Sequence, residues 1–175
     1  MVFLARQPNK LLMLNRNTMD ENLSVSPHGS NTMLAAVTVG RITPENITSI
    51  SENEVFVFGS NLSGRHGKGA AKTALGWGAK WGQAAGIQGK TYGIPTKDAS
   101  IKRTLRIDEI KPFVDDFIEW AKHHTGNTFY VTEIGCGLAG YKPKDIAPLF
   151  AECVNLKNVK LPQRFWHELV GSNSR

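Results

Sequence analysis

A short apolar run, Val55–Phe58, leads straight into Gly59-Ser60-Asn61 and then into Gly64, Gly67 and Gly69; this stretch restricts the chain more than any other. Continuous apolar residues of that length suit a strand buried on both faces. From Ala70 onward the residues turn small and helix-compatible, so the order is strand, glycine-rich loop, helix. Anion sites in α/β proteins are built in that order. Glycines let backbone N–H groups approach a phosphate, and the helix start adds unpaired donors and the positive end of its dipole. Neither GxGxxG nor GxxxxGK[ST] occurs in Glu54–Ala74, so the loop carries no standard fingerprint. Taken alone, the stretch fits a phosphate site and a tight strand–helix turn equally well.

The chain has 175 residues, enough for one domain with a substantial core. Hydrophobic residues make up 41% and charged residues 21%, a balance that excludes a disordered chain. Two cysteines, Cys136 and Cys153, are too few for a disulfide framework and fit a reducing compartment. No apolar run approaches the roughly 20 residues of a membrane helix, and Arg6 and Lys10 interrupt the apolar N-terminus, which lacks a cleavage site for a signal peptide. A cytoplasmic protein without membrane association is therefore expected. The net charge of +6 is unevenly placed. Between Asn61 and Arg106 stand Arg65, Lys68, Lys72, Lys80, Lys90, Lys97, Lys102, Arg103 and Arg106 against a single acid, Asp98. Such a segment suits an anionic ligand, nucleotide or nucleic acid, and it also suits a solvated face.

Residues 1–31 show no clear period and read as an irregular N-terminal extension, packed on the body or used in oligomer contacts; residues 32–175 form the domain proper. Met33–Val39 is a strand candidate closed by Gly40. Thr43-Pro44 reads as a helix start, with Thr43 as N-cap, running to about Ile50. Ala70 to about Trp81 is expected to be helical although Gly76 and Gly78 weaken it. Trp77 and Trp81, at i and i+4, then form a face packed on the core rather than a base-stacking platform. Lys90–Pro95 is the next strand candidate and Thr96–Arg106 a basic loop. Ile110, Phe113, Val114, Phe117, Ile118 and Ala121 share one face of a helix over Asp108–His123, with Asp108 as N-cap. Thr128–Ile134 is rich in β-branched and aromatic residues and reads as a strand. A second glycine loop, Gly135–Pro143, follows it, then a helix near Lys144–Asn155 in which Pro148 forces a kink or a late start. Asn158–Leu161 is a short last strand and Gln163–Val170 a terminal turn. Alternating strands and helices predict an α/β fold of three layers.

Two strands that each end in a glycine loop can place both loops at one carboxyl edge of a sheet, where open α/β folds bind ligands. The residues also resemble a known family. Ile134-Gly135-Cys136-Gly137-Leu138-Ala139-Gly140-Tyr141, with Pro143 and Ile146-Ala147, resembles the second phosphate loop of macro domains. Phe58-Gly59-Ser60-Asn61 with Gly64, Gly67, Gly69, Ala70 and Ala71 resembles their first loop, and Gly40-Arg41-Ile42-Thr43 their Gly-Asp-Ile-Thr. The similarity runs from about Met33 to Leu161. It is most specific to a branch of macro-like proteins in bacteriophage and bacterial genomes that carry FVFGSN, GRHGxGAA, GIPTKD and IGCGLAGY.

The resemblance implies a macro-like α/β/α fold with a mixed sheet and a cleft for ADP-ribose or a related nucleotide, cyclic signalling nucleotides included. It implies backbone contacts to one phosphate from Gly135–Gly140 and to the other from Gly64–Ala70. Ligand contacts are thus expected from Gly59, Ser60, Asn61, Gly64, Arg65, His66, Gly67, Lys68, Gly69, Ala70, Ile134, Gly135, Cys136, Gly137, Leu138, Ala139, Gly140 and Tyr141, with Tyr141 as an aromatic wall and Asn61 near the distal ribose. The phage-type branch implies a counter-defence role in a bacterial host. Some macro domains hydrolyse ADP-ribose linkages; for that chemistry Asn61 with His66 or Asp98 is the expected set. Two departures bear on it: Arg41 replaces the adenine-reading Asp, and Lys68 stands where an acid often precedes the helix. Glu133, at a strand end, either pairs with a cation or points into the cleft. A nucleophilic Cys136 lacks a recognisable His partner, and His123-His124 at a helix end is explained by solvation. No Cys/His cluster has zinc spacing, so neither metal nor cofactor is expected. A glycohydrolase and a nucleic-acid-binding or virion-associated protein remain the alternatives to a nucleotide-binding module.

Overall fold

The computed structural model describes residue 36 and residues 38–171; the expected extension over residues 1–31 lies outside them. The central strand β1, Glu54–Asn61, is apolar on both faces, and the fold is built outward from it. Val55 and Val57 point into one core, Phe56 and Phe58 into another. Strands β2 (Gly86–Gln88), β3 (Thr91–Lys97), β4 (Thr128–Val131) and β5 (Val159–Lys160) complete a sheet of order β2-β3-β1-β4-β5. β3, β1, β4 and β5 run parallel, and only the edge strand β2 is antiparallel, so the sheet is mixed.

Helices cover both faces. On one side α2 (Ile107–His123) buries Ile110, Val114, Phe117, Ile118 and Ala121 against Tyr92, Ile94, Phe129 and Val131. The same core takes in α3 (Pro143–Ile146), a 3₁₀ segment over Ala147–Asn155, and α4 (Gln163–Gly171), whose Phe165 and Trp166 are fully buried. On the other side the short α1 (Gly69–Leu75) lays Ala71 and Ala74 on Phe56 and Phe58. Each such phenylalanine contributes about 1.5–3 kcal/mol by leaving water. The protein is a three-layer α/β/α molecule.

Several elements differ from expectation, each for a physical reason. Of Met33–Val39, Ala36 and Thr38 are helical and Val39 lies in a turn, while the rest falls outside the described residues. No helix follows Thr43. The chain there is pinned by a parallel bridge of Ile42 to Leu161, with Thr43 N–H donating to the Leu161 carbonyl at 2.9 Å. α1 stops at Leu75, because Gly78 (φ +102°) carries the chain against the backbone of Gly89, where a Cβ would lie 2.9 Å from the Gly89 Cα. β3 continues through Pro95 to Lys97: β2 pairs only with Thr91–Gly93, so Pro95 leaves no ladder donor missing on that side. Pro148 turns the expected single helix into α3 plus the 3₁₀ segment. Arg106, not Asp108, is the N-cap of α2, and the terminal turn is the full helix α4.

Candidate functional site

Because β1, β3 and β4 are parallel, their carboxyl ends meet at one edge of the sheet. Loop one (residues 62–68) leaves β1 there, and loop two (residues 132–142) leaves β4. They abut at the floor of the edge: a Cβ added to Gly59 would lie 3.7 Å from Gly135 N and 3.8 Å from Ile134 Cγ2. Gly135 itself turns with φ +77°, and a Cβ there would press on Ile146 at 3.1 Å, so the tight turn after β4 requires glycine.

A cavity of about 490 Å³ opens between the loops. Gly59, Ser60, Asn61, Arg65, Gly67, Lys68, Gly69 and Ala70 line it from the first motif, and Ile134, Gly135, Gly137, Leu138 and Ala139 from the second. Thr96, Lys97, Ile101, Thr132, Glu133 and Trp81 complete the wall. Backbone N–H groups of several lining residues are left over. In loop two the N–H groups of Cys136, Gly140 and Tyr141 are used internally, donating to Glu133, Gly137 and Gly135 carbonyls. Among the described residues, those of Gly137, Leu138 and Ala139 have no acceptor, nor do those of Gly67, Lys68, Gly69, Ala70 and Ala71. All eight belong to cavity-lining residues. Three cations with no carboxylate partner among the described residues, Arg65, Lys68 and Lys97, stand at the same wall, and of these Lys97 donates to the Ile101 carbonyl. Three other cations of the basic segment are paired with acids: Arg103 grips Glu109 at 2.7 and 3.2 Å, Arg106 pairs with Asp108 at 3.0 Å, and Lys90 with Glu52 at 3.1 Å.

No protein-family model, curated protein or solved structure matches this chain.

The three residues expected to act in hydrolysis are engaged in other ways. Asn61 is buried and braces loop one: its amide donates to the Arg65 carbonyl at 2.7 Å, while its Oδ1 accepts from Arg65 N–H at 3.0 Å and from the Ser63 hydroxyl at 2.8 Å. His66 is fully buried, and its Nε2 faces two carbonyls, Lys80 at 3.1 Å and Gln83 at 3.2 Å. Only a ring protonated on Nε2 satisfies both acceptors. Asp98 lies outside the cavity wall and closes a surface turn, accepting from the Ser100 hydroxyl at 2.8 and 2.9 Å; these bonds hold its carboxyl below the usual range.

Five expected ligand contacts lie outside the wall: His66, Gly64, Cys136, Gly140 and Tyr141. The Tyr141 hydroxyl donates to the Leu105 carbonyl at 2.6 Å, which ties loop two to the segment before α2. Burial pushes the Cys136 thiol up to about 11, which leaves it protonated and a poor nucleophile at neutral pH. Arg41 never reaches the cavity. Its guanidinium donates to the carbonyls of Cys153, Val154 and Leu156, each at 2.7 Å, and stacks over Trp166 at 4.8 Å.

Sequence reasoning missed Trp81, which is 64% exposed at the cavity rim instead of packed on the core, whereas Trp77 packs edge-on against Phe56 at 5.0 Å. It also missed Ile101, a β-branched cavity residue with φ +66°, held by Lys97 Nζ donating to its carbonyl at 3.2 Å. Glu133 answers to both expectations: it lines the cavity and pairs with Arg164 at 3.0 Å. On its far side a second cavity of about 970 Å³ begins, walled by residues 42–48 and Arg164 and sharing Ala70, Thr132 and Glu133 with the first. No helix among the described residues is long and apolar enough to cross a membrane.

Proposed function

We propose that this protein binds ADP-ribose or an ADP-ribose-derived nucleotide, with the diphosphate held between the two glycine loops. One observation carries the reading: eight backbone N–H groups without acceptors among the described residues, drawn from both loops and the first turn of α1, belong to residues around one cavity. Phosphate oxygens supply several acceptors at once and can satisfy such N–H groups together. Arg65 and Lys68 add positive charge at the same wall. The volume falls in the range of about 300–1,000 Å³ common for small-molecule sites. The resemblance of both loops to those of macro domains points the same way.

Binding without turnover is the favoured form. His66 and Asn61 are spent on loop architecture, Asp98 is outside the wall, and the one carboxylate in the wall, Glu133, is paired with an arginine. Calorimetric titration with ADP-ribose, followed by chromatography of the mixture, tests both parts. Heat of binding with intact ligand recovered is the expected result. Conversion of the ligand would make the protein a hydrolase, and neither heat nor thermal shift at millimolar ADP-ribose would end the nucleotide reading.

A further inference from the structure

We infer that Trp81 is a base-stacking platform at the mouth of the phosphate cavity, so that the ligand is selected for an aromatic base as well as for its phosphates. The inference rests on the diphosphate reading above and adds the recognition of the base. Of the four tryptophans, Trp166 is fully buried, Trp77 packs on Phe56, and Trp120 stacks on His124 at 3.9 Å. Trp81 alone leaves most of its surface to water, at the rim of a cavity whose other loop contributes an equally bare Leu138, 69% exposed.

An exposed aromatic on a loose loop would mean little. This one is held rigidly from below. The turn that carries it, residues 80–83, is fixed by His66 donating from Nε2 to the Lys80 and Gln83 carbonyls. Buried Gln88 accepts from Lys80 N–H at 2.6 Å and donates to the Gln83 carbonyl at 3.3 Å. Gly82 N–H donates to the Gly64 carbonyl at 2.9 Å, so the turn and loop one move as one body. Rings rise in sequence from core to rim: Phe58 meets His66 edge-on at 5.3 Å, and His66 meets Trp81 edge-on at 6.4 Å. A rigid indole loses little freedom when a ring stacks on it, which is the economy aromatic platforms offer to bases. The phosphate donors in loop one and the indole are thereby set at a fixed spacing.

The test titrates the wild-type protein and the Trp81→Ala and Trp81→Phe variants with ADP-ribose, inorganic pyrophosphate and ribose 5-phosphate, reading heat and tryptophan emission. ADP-ribose should quench wild-type emission, and that quenching should vanish in Trp81→Phe. Trp81→Ala should weaken ADP-ribose binding about five- to a hundredfold, the range of a lost base–aromatic stack, with Trp81→Phe recovering most of it. Pyrophosphate and ribose 5-phosphate should bind all three proteins alike and leave emission unchanged. If ADP-ribose binds Trp81→Ala as tightly as wild type, or binds wild type without quenching, the platform is refuted while the phosphate reading stands. If wild type binds none of the three ligands, both fall.

Discussion

At Gly64 the backbone turns with φ +65°, and a Cβ built there would sit 2.4 Å from the carbonyl carbon of Gly82 and 2.5 Å from Gln83 N. Those neighbours are backbone and cannot swing aside. Gly64→Ala therefore combines left-handed strain with overpacking and should destabilise by about 2–4 kcal/mol in urea denaturation. Gly67 has nothing within 4 Å of a built Cβ and no positive φ. Gly67→Ala should stay within about 0.5 kcal/mol of wild type, yet lower ADP-ribose affinity, because its Cβ stands at the cavity wall. The two glycines look alike in GRHGKG. Measuring stability and affinity for both variants separates a glycine required by the fold from one required by the ligand.

Elements are held at their ends. At the end of the 3₁₀ segment over Ala147–Asn155, the planar fork of Arg41 donates to the Cys153, Val154 and Leu156 carbonyls, of which Cys153 and Leu156 also accept backbone N–H groups. Arg41→Met should cost about 1–3 kcal/mol, chiefly by leaving the Val154 carbonyl without its donor, and Arg41→Lys should recover only part of it, since one ammonium cannot span the three carbonyls. ADP-ribose affinity of any variant that stays folded should be unchanged. At the start of α2 the Glu109 carboxylate accepts from Arg103 and from Arg106 N–H, and it is held down to about 2, first by the Arg103 hydrogen bond. With the folded value depressed below the ordinary 4.5, the contribution is present above that value and is lost as pH falls from about 4.5 towards about 2. Urea midpoints measured across that window should fall less steeply for Glu109→Gln than for wild type.

For the molecule as a whole, the sheet edge converts local turns into one site. A ligand present at about 100 times its dissociation constant adds about 2.7 kcal/mol to stability. For a domain of this size that is a rise in Tm of roughly 5–10 °C, readable by differential scanning fluorimetry. Salt discriminates a nucleotide in the cleft from nucleic acid along the basic segment, because multiple phosphate contacts make affinity fall steeply with ionic strength. A nucleotide held largely by backbone donors in the cleft should show a shallow salt dependence, and Arg103, Arg106 and Lys90 are paired with acids outside that segment. The one-sided count of cations along residues 61–106 gave no hint of this, since the neutralising Asp108, Glu109 and Glu52 lie beyond its ends.

Strand, glycine loop and helix were legible at Glu54–Ala74 and again at Thr128–Ala147 because each is encoded by neighbours in the chain: an apolar run, glycines that permit a tight turn, then helix formers. The meeting of the two loops followed from the parallel alternation of elements. The roles of His66, Trp81, Arg41 and Tyr141 did not follow, since each is set by a partner remote in sequence. His66 is bound to Lys80 and Gln83, Arg41 to Cys153, Val154 and Leu156, and Tyr141 to Leu105. Trp81 reads as a core residue by spacing, and it reaches the rim only because Gly78 ends the helical path beneath it. Local patterns determined where backbone donors are left over. Tertiary packing decided which side chains stand beside them, because a polar group takes the partner that the fold brings within about 3 Å, wherever in the chain that partner lies.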